Sequence, residues 1–329
     1  MTLARRAILA TLGLALAAGP AALAAQQAER IARVGWVSSG PAAGGSPRTV
    51  HLESFRAGLR ERGWIEGRNL VLDVQIGERA QAAAFAKGLV ERRAEVILAT
   101  GPMFVGVRSQ AGSTPIVFAM TGDPVEAKWV ETLAHPGGTA TGVSALALEL
   151  EAKRLEILKE LRPGLGRIAI LANELHPGYR SQVRAAQEAA QRLGLTLHSV
   201  SVRIPGDFEA AFTTIVQSGA EAILTFPDAL TEGQAKAIAA FAAKRRLPSM
   251  GGFASFVEEG NLIAYGPNER EFYSRAAHYV DRILRGAKPA DLPVELPSRF
   301  ELTVSERTAG TLGLAVPKSI LLRADSLIR

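Results

Sequence analysis

Short runs of consecutive apolar residues alternate along the chain with longer stretches in which apolar residues recur every three or four positions. The runs are typical of strands that are buried on both faces, and stretches such as HLESFRAGLRERG and AQAAAFAKGLVERR are typical of amphipathic helices. The predicted strands are RVGWVSS, LVLDVQI, EVILATG, PIVFAMTG and TATGVS, followed by RIAILAN, TLHSVSV, EAILTFPD and LPSMGGF. The pattern predicts an α/β fold with parallel sheets covered by helices on both faces.

The second half of the chain repeats the first half. VERRAEVILATGP, beginning at Val90, aligns with VQSGAEAILTFPD, beginning at Val216, and RVGWVSS aligns with RIAILAN. A third alignment places Pro115 over Pro248. Chance similarity between alanine-rich segments is the alternative, but three matches in the same order favour a duplication. We therefore predict two doubly wound parallel-sheet domains.

The first residues, MTLARRAILATLGLALAAGPAALAAQQ, predict an export signal. Arg5 and Arg6 precede an apolar stretch, and Ala22-Leu23-Ala24 is the small-x-small pattern that a signal peptidase cleaves. A transmembrane anchor is the alternative, but the stretch is rich in Ala and Gly and ends in a cleavage pattern. We predict a signal peptide over residues 1–24, a mature chain from about Ala25 and a periplasmic location. Export by the Sec or by the twin-arginine route stays open.

Composition narrows the class of protein. The chain has 329 residues, 47% hydrophobic and 21% charged, with a net charge of +6 and no cysteine. That length and apolar content suit two domains with large cores, which must be stable without disulfides. The basic residues are mixed with acids and not interleaved with aromatics, so we expect no nucleic-acid partner. The mature protein is predicted to be a soluble monomer.

Doubly wound sheets bind ligands at the carboxyl ends of their strands, so those ends define the predicted site. In the first half the candidates are Ser38, Ser39, Thr100, Gly101, Thr121, Gly122 and Asp123. In the second half they are Asn173, Asp228 and Phe253, with Ser144 and Tyr265 near the predicted passages between the domains. If the domains face each other, these residues line the two walls of a cleft.

The chain resembles the solute-binding proteins of bacterial ABC transporters, and within them it is similar to binders of tryptophan, other amino acids or aromatic acids. The resemblance rests on an ordered series: FRAGLRERGWIEGRNL, PIVFAMTGDPVEA, HPGGTATGVS, EAKRLEILKELRP, NLIAYGP and ADLPVELPSRFEL. It implies a type I periplasmic-binding fold that closes on a small solute and delivers it to an inner-membrane permease. It also implies hinge crossings near Gly142 to Ser144, near Tyr265-Gly266 and within Pro293 to Val304.

The implied domains are an N-terminal lobe and a C-terminal lobe. The N-terminal lobe would comprise residues 25–143 and about 267–298. The C-terminal lobe would comprise residues 144–266 and about 299–329.

The two acids at the strand ends are predicted to differ in role. Asp123 precedes Pro124, and Glu126 follows three residues later, which predicts the N-cap of a helix whose free amides could hold a ligand carboxylate. Asp228 is followed by a separate capping box in Thr231 and Gln234, so it is predicted to be free for a ligand cation such as an ammonium. An Asx turn after Pro227 is the alternative.

The remaining candidates have structural alternatives. Asn173, Ser38 and Ser39 could bond a polar ligand or simply form turns. Phe253 and Tyr265 could stack on a planar ligand, although core or hinge packing is a frequent fate of such rings. The three tryptophans, Trp36, Trp64 and Trp129, are interpreted as packing residues.

An enzyme acting on a small acid and a periplasmic ligand sensor are the rival functions. The chain has no G-x-x-x-x-G-K-[ST], G-x-S-x-G or H-E-x-x-H motif, and its five histidines lack metal-ligand spacing. His176 lies near the predicted cleft and is interpreted as a surface residue. The sensor domain of a repressor would need a helix-turn-helix where the signal peptide stands. We predict no catalytic residue, metal or cofactor.

Overall fold

The computed structural model describes residues 30–40, 48–146 and 148–329. The predicted signal peptide lies outside these residues. Within them, no helix combines the length and the apolar character needed to cross a bilayer.

The first sheet has five parallel strands in the order β2-β1-β3-β4-β5. The strands are β1 (Ala32–Ser39), β2 (Leu70–Gly77), β3 (Val96–Thr100), β4 (Ile116–Met120) and β5 (Ala140–Ser144). The helices between them are α1 (Arg48–Glu61), α2 (Ala82–Glu91) and α3 (Phe104–Ala111), with short 3-10 turns at Arg79–Gln81 and Gly101–Met103. All five predicted strands of this half are confirmed.

The second sheet has seven strands in the order β12-β11-β10-β9-β8-β6-β7. They are β6 (Arg167–Asn173), β7 (Thr196–Val202), β8 (Ala222–Thr225), β9 (Ser249–Gly251), β10 (Ile263–Pro267), β11 (Phe300–Ser305) and β12 (Ser326–Ile328). All neighbours are parallel except β10 and β11. The sequence pattern predicted no strand beyond β9, because β10 contains Gly and Pro, β11 is polar and β12 has three residues.

The helices around the second sheet cover both of its faces. They are α4 (Glu149–Leu161), α5 (Tyr179–Leu193), α6 (Phe208–Gln217), α7 (Ala229–Gly233), α8 (Ala235–Arg245), α9 (Ala254–Glu258), α11 (Glu306–Leu312) and α12 (Lys318–Arg323). Between α9 and α11 in the chain, α10 (Glu269–Leu284) packs beside the first sheet instead. Short 3-10 turns lie at Pro205–Asp207 and Pro289–Asp291. Local chemistry sets several ends: Asn268 caps α10 by accepting from the Glu271 amide at 2.9 Å, and Gly194 ends α5 with a φ of 64°.

The strand register agrees with the sequence repeat. The repeat aligns Val34 with Ile168 and Val96 with Ala222, and in the sheets Val34 lies opposite Val96 while Ile168 lies opposite Ala222. The next strand pair agrees in the same way, with Ile97 opposite Ile116 and Ile223 opposite Ser249. The strand order β2-β1-β3-β4-β5 is likewise repeated as β7-β6-β8-β9-β10. The predicted pair of doubly wound parallel sheets is confirmed.

The helix that follows the fifth strand of each repeat packs on the other sheet, and we call these two helices, α4 and α10, the exchanged helices. β5 of the first sheet leads into α4, which packs on α5 beside the second sheet. β10 of the second sheet leads into α10, which packs on α1 beside the first sheet. We call the first sheet with α1, α2, α3 and α10 the first lobe, and the second sheet with the other helices the second lobe. The residue bounds predicted from sequence for the two domains stay predictions.

Four apolar clusters fill the space between sheets and helices. In the first lobe, one cluster joins the sheet to α1 and α10, and another joins it to α2 and α3. In the second lobe, one cluster includes residues of α4 and α5, and another includes residues of α6 and α8. Trp36 and Trp129 are both buried, and Trp129 stacks on Phe104 at 4.0 Å between ring centroids. Burial on both faces explains why the central strands are continuous apolar runs.

Candidate functional site

The ends of β1 and β3 present a pair of hydroxyl groups. Thr100 Oγ1 donates to Ser38 Oγ at 3.1 Å, and both residues are buried. Gly101 follows with a φ of 40° and begins the turn into α3. Ser39, the last residue of β1, accepts on its carbonyl from Ser38 Oγ at 3.4 Å. These predicted residues therefore lie together, and their contact with a ligand stays a prediction.

The segment after β4 is a turn and not the predicted helix. Asp123 Oδ1 accepts from the amides of Val125 at 2.8 Å and Glu126 at 3.1 Å, as a capping residue would. The chain then makes one turn, closed by the Ala127 amide on the Asp123 carbonyl at 3.0 Å, and leaves it at Lys128 with a φ of 58°. The capping role of Asp123 is confirmed, but the helix is wrong. The amides proposed for a ligand carboxylate are already bound to Asp123.

The ends of β6 and β8 are joined by a second polar pair. Asn173 Nδ2 donates to Asp228 Oδ1 at 2.9 Å, and Asn173 Oδ1 accepts from the Leu175 amide at 3.0 Å. Asp228 also accepts from the Leu230 amide at 2.8 Å, while its own amide donates to Thr231 Oγ1 at 3.1 Å. Asp228 is thus the N-cap of α7. The prediction that Asp228 is not a cap is wrong, because the helix begins three residues earlier than the Thr231 box implied.

His176 connects the two lobes. Its Nε2 lies 2.8 Å from Thr121 Oγ1, and the ring is half-buried. Next to it, Ser181 Oγ at the start of α5 donates to Glu126 Oε2 at 2.9 Å. Burial lowers the pKa of His176, while the carboxylates of Asp228 and Glu126 act in the opposite direction. The interpretation of His176 as a surface residue is wrong, because its half-buried ring contacts Thr121 of the other lobe.

Gly122 lets the lobes approach at this point. A Cβ atom added to Gly122 would lie 1.9 Å from the Pro177 carbonyl oxygen, which is a backbone atom and not a movable side chain. Ser144, at the end of β5, donates from its buried Oγ to the Gly122 carbonyl at 2.7 Å. Ser144 therefore holds the turn that carries Gly122.

The two predicted aromatic residues differ in their surroundings. Phe253 is 6% exposed and packs in the cluster of the first lobe with α1 and α10, so the structure places it in a core. Tyr265 is half-buried, with its ring 6.2 Å from that of Phe300, and its carbonyl accepts from Arg154 Nε at 2.9 Å.

Two buried acids that the sequence pattern did not single out lie in the first turns of α10 and α4. Glu269 Oε1 accepts from Ser255 Oγ at 3.0 Å and lies 2.7 Å from His51 Nε2, so it connects the lobes. Glu151 pairs with Arg154 at 2.8 Å; burial raises the pKa of Glu151, and the guanidinium opposes this. The available signal for these residues was an acid in the first turn of the helix that passes from one sheet to the other.

These contacts bring Thr121, Asn173, His176 and Asp228 into one polar region between the lobes. Ser38 and Thr100 form a separate pair on the first lobe. Across residues 30–40, 48–146 and 148–329, no group of three or more His, Asp or Glu side chains is arranged to hold a metal ion.

Two facing doubly wound lobes with polar strand ends define a binding protein of the periplasmic type. The family model "ABC transporter substrate binding protein" matches residues 46–328, and the chain belongs to this family. Its fold is that of the type I periplasmic binding proteins.

Similar proteins include one named for tyrosine binding and one solved in complex with L-Trp. A tyrosine-binding protein of Clostridioides difficile is 23% identical over 266 residues, covering 80% of this chain and 76% of its own. A conserved domain protein of Vibrio cholerae has a TM-score of 0.83 at 26% identity, over 91% of this chain and 100% of its own. An ABC domain of Streptococcus pneumonia in complex with L-Trp has a TM-score of 0.83 at 23% identity, with the same coverage.

We expect Gly122→Ala to hold the lobes apart. The added Cβ would collide with the Pro177 carbonyl only when the two segments meet, so each lobe should keep its own fold. Small-angle scattering should give a larger radius of gyration than for the parent chain. Gly164→Ala is the matched control, because a Cβ there meets nothing within 4 Å. An unchanged scattering curve for Gly122→Ala would contradict the close approach of these segments.

We expect Asp228→Ala to lower the free energy of unfolding by about 0.5 to 2 kcal/mol, because α7 loses its N-cap. Asp228→Asn should remain within a few tenths of a kcal/mol of the parent, since Asn caps about as well as Asp. Urea denaturation of the three proteins without solute measures the difference. Equal stability of the Ala variant and the parent would show that the cap contributes nothing.

Proposed function

We propose that the protein is the periplasmic solute-binding component of an ABC importer. In this proposal a small polar solute binds in the cleft between the lobes, and the closed form delivers it to a membrane permease. The observation that carries the proposal is the direct contact between the walls, in which Thr121 of the first lobe meets His176 of the second. A solute held there would touch both lobes and favour their closure.

We propose an aromatic amino acid as the solute. Support comes from the relatives, which are named for tyrosine or hold L-Trp. Support also comes from Asp228, whose carboxylate can accept further hydrogen bonds beyond those of the cap. An α-ammonium group is a suitable donor. The hydroxyl groups of Ser38, Thr100 and Thr121 are donors of the kind that a solute carboxylate needs.

The binding experiment has a discovery arm and a comparison arm. Mass spectrometry of the natively purified protein would identify any solute that copurifies with it. Isothermal titration with L-Trp and L-Tyr should show binding, and Asp228→Asn should weaken it by about 2 kcal/mol, the scale of a lost charge-assisted bond, while keeping its stability. Asp291→Asn is a control in which an exposed carboxylate is removed from the turn after α10.

Two results would count against the aromatic amino acid. One is a copurifying solute that lacks an ammonium group. The other is unchanged affinity in Asp228→Asn, which would remove Asp228 from the binding site.

No catalytic step is part of this proposal. The residues that come nearest to a hydrolytic arrangement are His51, Glu269 and Ser255. Glu269 lies between the other two, and Ser255 Oγ donates to the carboxylate at 3.0 Å. A nucleophilic serine requires a base that takes its proton, which in such sites is the histidine. In this cluster the hydrogen bonds suit a tether between the lobes.

We expect export to remove residues 1–24. The periplasmic form should begin at Ala25 or one or two residues later, because Ala22-Leu23-Ala24 is the best cleavage pattern in the segment. Intact mass measurement of the periplasmic fraction gives the mature N-terminus. A variant such as Ala24→Arg should slow the cleavage. Recovery of the parent chain only with Met1, in a membrane fraction, would overturn the soluble-receptor proposal.

A further inference from the structure

The ring of His176 lies at the contact between the lobes. Its Nε2 is 2.8 Å from Thr121 Oγ1, and two neighbouring contacts join the same segments: Ser181 with Glu126, and Pro177 with Gly122. His176 belongs to the loop after β6, whereas Thr121 belongs to the turn after β4. Separation of the lobes would therefore return the ring to water.

We propose that the neutral form of His176 favours closure of the cleft, so that the protein captures its solute near neutral pH and loses it on acidification. This inference rests on the proposed function in one respect, namely that closure of these lobes retains the solute. It assigns a role to a side chain that belongs to no sequence motif.

The charged groups around the ring are few. Asp228 faces it from the start of α7, and Glu126 faces it from the turn of the first lobe. Asp123 in that turn is bound to two amides, and Glu174 in the histidine's own loop is paired with Arg203. The two facing carboxylates favour the charged imidazolium form.

Desolvation outweighs those two carboxylates. Burial of the ring is the largest influence and lowers the pKa of His176 below its ordinary value of 6.5, with Asp228 and then Glu126 raising it by less. The Thr121 hydroxyl can accept from an imidazolium as well as bond to a neutral ring, so the bond itself survives protonation. The cost of closing on a charged His176 is thus the loss of its water.

The direction of the pH dependence follows from this. The closed form, with the lowered pKa, binds fewer protons than the open form, in which the ring has its ordinary pKa. Protonation of His176 therefore does not oppose closure above about pH 6.5. Below that pH, the free energy of closure becomes less favourable as the pH falls toward the lowered pKa. For a single proton, the ratio of closed to open molecules falls by up to about tenfold per pH unit in that interval.

The experiment follows the lobe separation directly. The chain contains no cysteine, so Lys87→Cys on α2 and Lys236→Cys on α8, both at exposed positions, allow specific spin labelling. Double electron–electron resonance would give the label distance from pH 8 to pH 5, first without solute and then with L-Trp or L-Tyr. The parent should shift toward the longer distance as the pH falls below about 6.5.

Two variants decide whether His176 is responsible. His176→Gln, which stays neutral and can still bond to Thr121, should remove the pH dependence. His135→Gln, at an exposed histidine in the turn before β5, should keep it. Thermal melting verifies that each variant is folded, and His176→Asn replaces the Gln variant if that one is not. A parent distance that does not change with pH, or a variant that keeps the parent's pH dependence, would overturn the proposal.

The solute arm separates the two proposals. If neither amino acid nor any copurifying solute changes the distance at any pH, the proposed binding function fails. In that case the titration without solute still decides whether His176 controls closure.

Discussion

Parallel pairing of the strands is the constraint on which this structure depends. Because the strands β1 to β5 all run in one direction, the loops that follow them lie at the carboxyl edge of the sheet. The same holds for β6 to β10 in the second sheet. Both faces of each sheet must be covered, which places the helices, and the loops at the carboxyl edge carry the polar residues of the site. The Ser38–Thr100 and Asn173–Asp228 pairs lie at the corresponding edges of the two repeated sheets.

The sequence predicted the strands well because buried parallel strands are short, continuous apolar runs bounded by turn residues. β6 and β7 have the predicted bounds, and the observed register opposite β3 and β8 agrees with the sequence repeat. Strand β12 escaped prediction because it has three residues and depends on pairing with β11. Its signal lies in tertiary context and not in the local pattern.

The polar residues were harder to assign from sequence. The segment PDALTEG contains two overlapping starts for a helix, and only the bond from Leu230 to Asp228 shows which start the chain uses. The turn at Asp123 has good capping residues, yet Lys128 adopts a left-handed conformation and no helix follows. The environment of His176 depends on a partner in the other lobe. Long-range contacts of this kind leave no periodicity in the sequence.

The exchange of α4 and α10 has a consequence for the order of folding. α1 is covered by α10, so the apolar face between them cannot be buried until residues 269–284 have been synthesised. The first lobe is encoded first but is completed almost last, and neither lobe corresponds to one continuous fragment of the chain. Contacts between such distant segments slow folding. A nascent chain of this fold therefore has no completed lobe until most of its residues have been synthesised, and its unpaired apolar faces stay exposed for that time.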